Sequence, residues 1–223
     1  MKASHEELVD QCLALSNIGE RIDKMMTKID MLEASLSISK NVNSLLMERI
    51  INLEKSVINN SQYLRKECLE LNAIPDTVED NALEKTVCEA LSLTGTTVQP
   101  SSLEAVHRLK RPSCVIVKFK SRKLRNEVFS KKRILMNKSK ELVNLGLNDK
   151  LYINESLSKE NQHLFYQCRM LKKGKKVHDT WFANGVINMI YGVNDSITKI
   201  YHSSDIERVL NIANIDEYLK SIM

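Results

Sequence analysis

Positive charge is concentrated in the middle of this sequence. The 223 residues have a formal net charge of only +5, but residues 106–140 contain thirteen Lys and Arg against one acidic residue, Glu127. A second basic group lies near Trp181. Basic side chains at this density, with an aromatic ring nearby, are typical of sites for the backbone of a single-stranded nucleic acid. The candidate binding residues are Arg108, Lys110, Arg111, Lys118, Lys120, Arg122, Lys123, Arg125, Lys131, Lys132, Arg133, Arg169, Lys172, Lys173, Lys175, Lys176 and Trp181.

Two alternatives stand beside that interpretation. A basic helix face can simply be solvated, and cations at a helix C-terminus are favoured by the helix dipole without any ligand. Trp181 could belong to the core or to the surface, and its neighbour Phe182 points the opposite way in a strand. We therefore expect one ring of this pair to face inward.

Residue patterns for catalysis are missing. The five histidines are dispersed, and the sequence contains no phosphate-binding glycine loop and no metalloprotease or serine-hydrolase motif. The five cysteines form no C-x-x-C pair, so neither a zinc site nor a disulfide framework is indicated. We expect a protein that is not an enzyme and takes no metal, cofactor or small-molecule substrate. Free thiols and the absence of both a signal peptide and a membrane span predict an intracellular location, in the cytoplasm or the nucleus.

Residues 1–62 are predicted to form a parallel coiled coil. With Leu8 at heptad position a, eight of nine a positions up to Leu64 are apolar and the register never slips. Such a repeat imposes a left-handed supercoil, and residues 8–62 would form a rod of roughly 80 Å. The alternative is an amphipathic helix packed on a globular domain, but that helix rarely keeps one narrow seam so long. The candidate oligomerisation residues are Leu15, Ile22, Met25, Ile29, Leu32, Leu36, Asn43, Leu46, Arg49, Ile50, Leu53, Glu54, Val57 and Asn60.

The seam favours a homotrimer over a dimer. Arg49 and Glu54 flank Ile50 and Leu53 in the arrangement Arg-h-x-x-h-Glu, which is a signature of parallel trimers. In this arrangement the Arg49 stem covers the apolar seam and its head pairs with Glu54 of a neighbouring helix. Asn43 at an a position is instead a common device of parallel dimers, so both states stay open.

Residues 63–155 are predicted to form a ferredoxin-like, RRM-like domain of order βαββαβ. Strands are expected at 68–74, 103–109, 114–119 and 151–153, with helices at 77–93, capped by Thr77, and at 122–136, capped by Ser121. The first and third strands lack the aromatic rings on which such domains stack bases. We therefore expect nucleic-acid binding to depend on the positive charges and not on stacking of bases against the sheet.

Residues 156–223 are predicted to form a small α+β module. Ser158 should cap a helix that Gly174 ends, and Asn184-Gly185 should form the turn of a hairpin. Ser204 and Glu207 are expected to form a capping box, followed by a last helix at 214–222. The whole fold is α+β: a long coiled coil, then the RRM-like domain, then this module.

Five segments in this order resemble the baculovirus and insect few-polyhedra (FP) protein family, which is related to the first open-reading-frame protein of long interspersed retroelements. Residues 69–75 resemble its L-x-I-x-G-I-P strand, 105–109 its A-H-R-L and 115–119 its I-I-V-K-F. Residues 152–157 resemble I-S-E-D-L-S, and 181–187 resemble W-T-R-N-G-K-I. Together they lie within residues 60–210.

The resemblance implies a trimer of retroelement or viral origin that binds RNA or single-stranded DNA with little sequence preference and acts as a nucleic-acid chaperone. For the viral relatives it implies instead a structural or trafficking scaffold without nucleic-acid activity. The chain departs from the family pattern at Ala73, Ala183 and Val186, where the family has Gly, Arg and Lys. The last two departures remove charges from the hairpin.

Overall fold

A computed structural model describes the backbone of residues 2–222 and the side chains of residues 13 and 15–221. Helix α1 runs over Lys2–Tyr63, and the chain divides into two compact units, residues 1–53 and 54–223. In the first unit the described apolar seam residues are exposed, with exposed fractions between 48% at Ile50 and 68% at Leu32. The side chains of Leu8 and Cys12 lie outside the described residues. One long helix with an exposed apolar seam is therefore present.

The last ten residues of α1 belong to the second unit. Gln62 is 3% exposed; its amide donates to the Ser156 carbonyl (2.9 Å) and accepts from the Ser158 backbone N–H (2.9 Å). Lys55 Nζ lies 2.7 Å from Asp205 Oδ1, so the end of α1 also contacts the C-terminal part of the chain. The compact unit thus begins at Glu54, whereas the sequence placed a boundary after residue 62.

Four strands form an antiparallel sheet. They are β1 (Cys68–Asn72), β2 (Leu103–Arg108), β3 (Cys114–Phe119) and β4 (Tyr152–Glu155), in the spatial order β2-β3-β1-β4. Helices α2 (Asp80–Ser92) and α3 (Arg122–Ser130) connect them, and α4 (Ser139–Asn144) follows α3. Short 3-10 helices lie at Pro100–Ser102 and Lys132–Asn137.

The hydrophobic core of this sheet is formed by side chains at every second position of its strands. Leu69 and Leu71 of β1 pack with Val87 of α2 and Val128 of α3 on one face of the sheet. Glu70 and its neighbours at every second position lie on the opposite face. Burying one face of the sheet under two helices fixes the register, because a slip of one residue would exchange the two faces.

The helices of this domain differ from the predicted ones. Thr77 does not cap α2: the helix begins at Asp80 after Glu79, because residues 75–79 form a turn whose carbonyls bind Arg108. Helix α3 ends at Ser130, six residues earlier than predicted. The chain then tightens into a 3-10 helix that buries Leu135, and the short α4, not predicted, buries Leu142.

A three-stranded antiparallel sheet and three helices complete the chain. They are α5 (Lys159–Lys173), β5 (Asp179–Ala183), β6 (Val186–Ile190), β7 (Thr198–Ile200), α6 (Ser203–Leu210) and α7 (Ile215–Ile222). Ser158 caps α5 as predicted, since its hydroxyl accepts from Asn161 N–H at 3.2 Å. Asn184 and Gly185 both have positive φ, 56° and 82°, which confirms the predicted hairpin turn.

The predicted capping box of Ser204 and Glu207 is wrong. Helix α6 begins two residues earlier, with His202 as N-cap and Asp205 completing the box. Burial acts to raise the pKa of Asp205, but hydrogen bonds from Lys55 and from the backbone of Tyr201 and His202 outweigh it and lower the pKa. Glu207 is used elsewhere: it accepts from Ile215 N–H at 3.1 Å and joins α6 to α7.

Arg108→Ala should lower the free energy of unfolding by about 2 kcal/mol. The Arg108 guanidinium donates to Asp76 (3.3 Å), to Asp80 (3.2 Å) and to the carbonyls of Pro75 and Val78, so it ties β2 to the start of α2. Urea unfolding followed by circular dichroism measures the loss. Lys110→Ala, two residues on and exposed, is the control and should change stability by less than about 0.5 kcal/mol. An equal loss of unfolding free energy in Arg108→Ala and Lys110→Ala would contradict a structural role for Arg108.

Ala73→Gly should stabilise the chain by roughly 0.5 to 1 kcal/mol. Ala73 has φ +77°, a left-handed conformation that costs an L-residue more than it costs glycine. This position is where the resembled family has Gly. Ala90→Gly, in the buried interior of α2, is the control and should destabilise by at least about 1 kcal/mol. A loss of stability on Ala73→Gly in the same urea titration would contradict the conformational account.

Candidate nucleic-acid interface

A groove of about 740 Å³ lies between the edge strand β4 and the C-terminal part of the chain. Three cations line it, with six aromatic rings and two carboxylates. The cations are Arg111, Lys132 and Arg169; the rings are Phe129, Tyr152, Phe165, Tyr166, Trp181 and Phe182; the carboxylates are Glu70 and Glu155. The groove thus combines positive charge with aromatic rings, the combination expected of a site for a single-stranded nucleic acid.

Helix α5 builds one wall through its periodicity. Gln162, Phe165, Tyr166 and Arg169 have the spacing of one helix face and line the groove. The opposite face, with Leu164 and others, packs into the core formed with β5–β7. An amphipathic helix of this kind must present its polar and aromatic face to the groove once its apolar face is buried.

Strands β1, β4 and β5 supply the rest of the lining. Tyr152 and Asn154 of β4 alternate with the buried Ile153, so both lie in the groove. Trp181 is partly buried in the lining, whereas Phe182 also packs against the C-terminal core. Both rings are half-buried and both line the groove, so the expectation that one ring of the pair faces inward stays a prediction.

The three groove cations have different surroundings. Arg111 Nη2 lies 2.5 Å from Glu70 Oε2; burial acts to lower the pKa of Arg111, but this carboxylate outweighs it and raises the pKa. Lys132 Nζ lies 3.9 Å from the centre of the Phe129 ring and donates to the Ile153 carbonyl at 3.2 Å, and burial lowers its pKa. Arg169 is exposed and has no ion pair among the described residues.

Carboxylates, most of them from outside residues 106–140, neutralise much of the charge of this basic segment. Seven of the thirteen cations at 106–140 are in ion pairs. Lys118 pairs with Glu104, Arg122 with Glu67 and Lys131 with Glu127, while Lys120 donates to the Ser101 carbonyl. In the second basic group, Lys172 pairs with Asp179. The net charge of about +12 counted along the sequence is therefore not all presented to a ligand.

Arg125 and Arg108 serve the interior of the fold. Arg125 is 5% exposed and its Nη2 lies 3.4 Å from Glu155 Oε2, a carboxylate that is itself buried. Burial lowers the pKa of Arg125, although Glu155 opposes this. Arg108 is held by the four acceptors described above. Both guanidinium groups are occupied by acceptors within the fold, and neither residue lines the groove.

Six further predicted cations are exposed, lie outside the groove lining and have no ion pair among residues 15–221. They are Lys110, Lys123, Arg133, Lys173, Lys175 and Lys176. They can contribute long-range attraction for a polyanion, but they do not form the site.

The aromatic residues Tyr152 and Tyr166 were missed by the sequence interpretation, which searched the first and third strands for rings. Two sequence patterns could have identified them. Tyr152 alternates with the buried Ile153 in β4, and Tyr166 is four residues from Gln162 on the same face of α5. Stacking surfaces are thus present, but on β4, α5 and β5.

The oligomerisation residue Glu54 has a partner within the chain. Its Oε2 lies 3.0 Å from His202 Nε2. The carboxylate is half exposed, so the pairing with Arg49 of a neighbouring copy stays a prediction.

The cysteines Cys68, Cys88, Cys114 and Cys168 are buried free thiols. Burial raises the pKa of Cys88 to about 11 and of Cys168 to about 12, which keeps these thiols protonated and of low reactivity.

In the part of the chain that is described, every helix is too short or too polar to cross a membrane. Compared with known proteins, the chain matches no protein-family model and no curated protein sequence.

Proposed function

We propose that this chain is an oligomeric protein that binds single-stranded RNA or DNA, with little sequence preference, in the groove beside β4. The observation that carries the proposal is the lining of that groove by three cations and six aromatic rings. Cations attract any phosphate backbone, and every base has a face that can stack on a ring, so such a site binds many sequences.

The two carboxylates of the groove do not oppose this proposal. Glu155 is neutralised by Arg125 and accepts from Asn184 N–H at 3.0 Å. Glu70 accepts from Arg111 and from Ser156. Both negative charges are therefore compensated inside the protein, and Arg169 and Lys132 remain to attract phosphate.

We also propose that residues 63–155 form a ferredoxin-like, RRM-like domain. The strand order β2-β3-β1-β4, all antiparallel, and the two helices on one face of the sheet support this. The domain would differ in use from a typical RRM, because its rings are on the edge strand β4 and on the neighbouring module.

Residues 8–62 are proposed to pair with further copies of the same chain as a parallel coiled coil, with a trimer favoured over a dimer. The support is the heptad seam, which is apolar except at a few positions such as Asn43 and Asn60 and whose described apolar residues are about half or more exposed in one chain, and the Arg49–Glu54 signature. Oligomerisation would join several weak grooves, which raises the affinity for a long strand. The resemblance to retroelement and few-polyhedra proteins agrees with this arrangement and adds nucleic-acid chaperone activity as a proposal.

A salt titration tests the proposal. Anisotropy of fluorescein-labelled 30-nucleotide dT and rU strands is measured from about 50 to 300 mM NaCl, with the mass followed by light scattering. Three groove contacts predict a log–log slope of about −2 per groove, since each phosphate contact to a single strand contributes about −0.7. A flat response, or an assembled protein that binds neither strand at about 100 mM salt, would contradict the proposal and favour the scaffold alternative.

A further inference from the structure

Glu70 is an unusual residue for a groove that receives a polyanion. It is 7% exposed, lies in the middle of β1, and both of its carboxylate oxygens have donors. Ser156 Oγ donates to Oε1 at 3.0 Å and Arg111 Nη2 donates to Oε2 at 2.5 Å. A fixed negative charge therefore holds one of the three cations of the site.

The two partners of this ion pair differ in burial and in their other contacts. Glu70 is held in place because Ser156 is itself fixed: Arg65 Nη1 donates to Ser156 Oγ at 3.0 Å. Arg111 lies between β2 and β3 and its side chain is 60% exposed. When a phosphate enters the groove, Arg111 can move toward it, whereas the carboxylate stays.

We propose that Glu70 sets the affinity of the groove for phosphate, by holding Arg111 in the free protein so that a strand gains this cation only at the expense of the ion pair. The inference rests on the proposed function. The Glu70 carboxylate competes with a strand phosphate for the Arg111 guanidinium, since both are negatively charged hydrogen-bond acceptors. The groove thereby binds strands more weakly than its three cations allow, which suits a protein that must release and rebind them.

The variant Glu70→Gln tests this inference, since the amide keeps an oxygen for Ser156 but no longer holds Arg111 by charge. Affinity for fluorescein-labelled 30-nucleotide dT should rise about five- to tenfold at about 100 mM NaCl. The log–log salt slope should stay at about −2 per groove, because Arg111 meets a phosphate in the bound state of both proteins. The matched control is Glu104→Gln, which also removes one carboxylate from an ion pair, with Lys118, on the same sheet but outside the groove. It should raise the affinity less than twofold.

A measurement on the unaltered chain keeps the inference testable if Glu70→Gln does not fold, which thermal unfolding would show. In side-chain ¹⁵N–¹H spectra, the guanidinium signal of Arg111, assigned with Arg111→Lys, should shift when the strand saturates the groove. The signal of Arg108, held by four internal acceptors, should not shift. An unchanged Arg111 signal at saturation, or equal gains for the two glutamine variants, would overturn the inference while leaving the proposed function intact. If neither the unaltered chain nor Glu70→Gln binds the strand, the proposed function fails and this inference with it.

Discussion

Replacing Arg111, Lys132 and Arg169 together by glutamine is expected to weaken binding of a 30-nucleotide strand at least about a hundredfold at about 100 mM salt. Each cation releases counterions when it meets a phosphate, so the loss should be uniform across sequences, and the salt slope should fall by about 2. The loss includes the repulsion of the strand by Glu70, which is left without Arg111. Anisotropy with dT, rU and mixed-sequence strands measures it.

The control for the groove variant carries the same change of charge outside the groove. Lys110, Lys123 and Lys173 are exposed, are not part of the lining and have no ion pair among the described residues. Replacing these three by glutamine should weaken binding less than tenfold, through long-range charge alone. If both triple variants lose affinity equally, the groove is not the site and binding is a property of net charge. If only one strand sequence is affected, direct base readout would be the better account.

Ile29→Asp combined with Leu36→Asp should convert the assembly into monomers. Both residues occupy a positions of the seam, where a charge would be buried against neighbouring helices. Monomers lose the joint action of several grooves, so affinity for a strand long enough to reach more than one groove should fall by about 10² to 10⁴. Affinity for a short strand that occupies a single groove should change less than twofold. Light scattering and anisotropy on the same samples measure both effects.

The matched control adds the same charges to the helix away from the seam. Ala34→Asp and Ser37→Asp lie at positions f and b and are exposed. This variant should keep the oligomer mass and the affinity for long strands. An oligomer that persists in the seam variant, or a loss of short-strand affinity equal to that of long strands, would contradict the role given to the helix.

Local chemistry in the sequence predicted the parts of the fold that depend on near neighbours. The alternation around Leu69 and Leu71, the Asn184-Gly185 turn and the Ser158 cap each act within a few residues, and each is present. The start of α2 and the N-cap of α6 were mispredicted for a tertiary reason. Arg108, far along the chain, uses the carbonyls near Thr77, and Glu207 binds the backbone of α7 instead of capping α6.

The site was less predictable than the fold because charge pairing is non-local. The sequence shows a basic segment, but not that Glu70, Glu104 and Glu155 meet its cations across strands and helices. The sequence names Arg111 and Arg169, fifty-eight residues apart, only as members of a larger candidate set, whereas the packing shows that these two line one groove and that most of the other cations do not. Composition suggests the proposed class of ligand, and the packing determines which cations line the groove.

Trp181 allows the most direct test that a single strand occupies the groove. It is the only tryptophan of the chain and it lines the groove with Tyr166 and Arg169, so its emission reports on this site alone. Titration with unlabelled 30-nucleotide dT should quench Trp181 fluorescence, because bases stack on the rings of such sites, and the half-saturation point should equal that found by anisotropy. Strand binding by anisotropy with no change in Trp181 emission would contradict the assignment of the groove as the binding site.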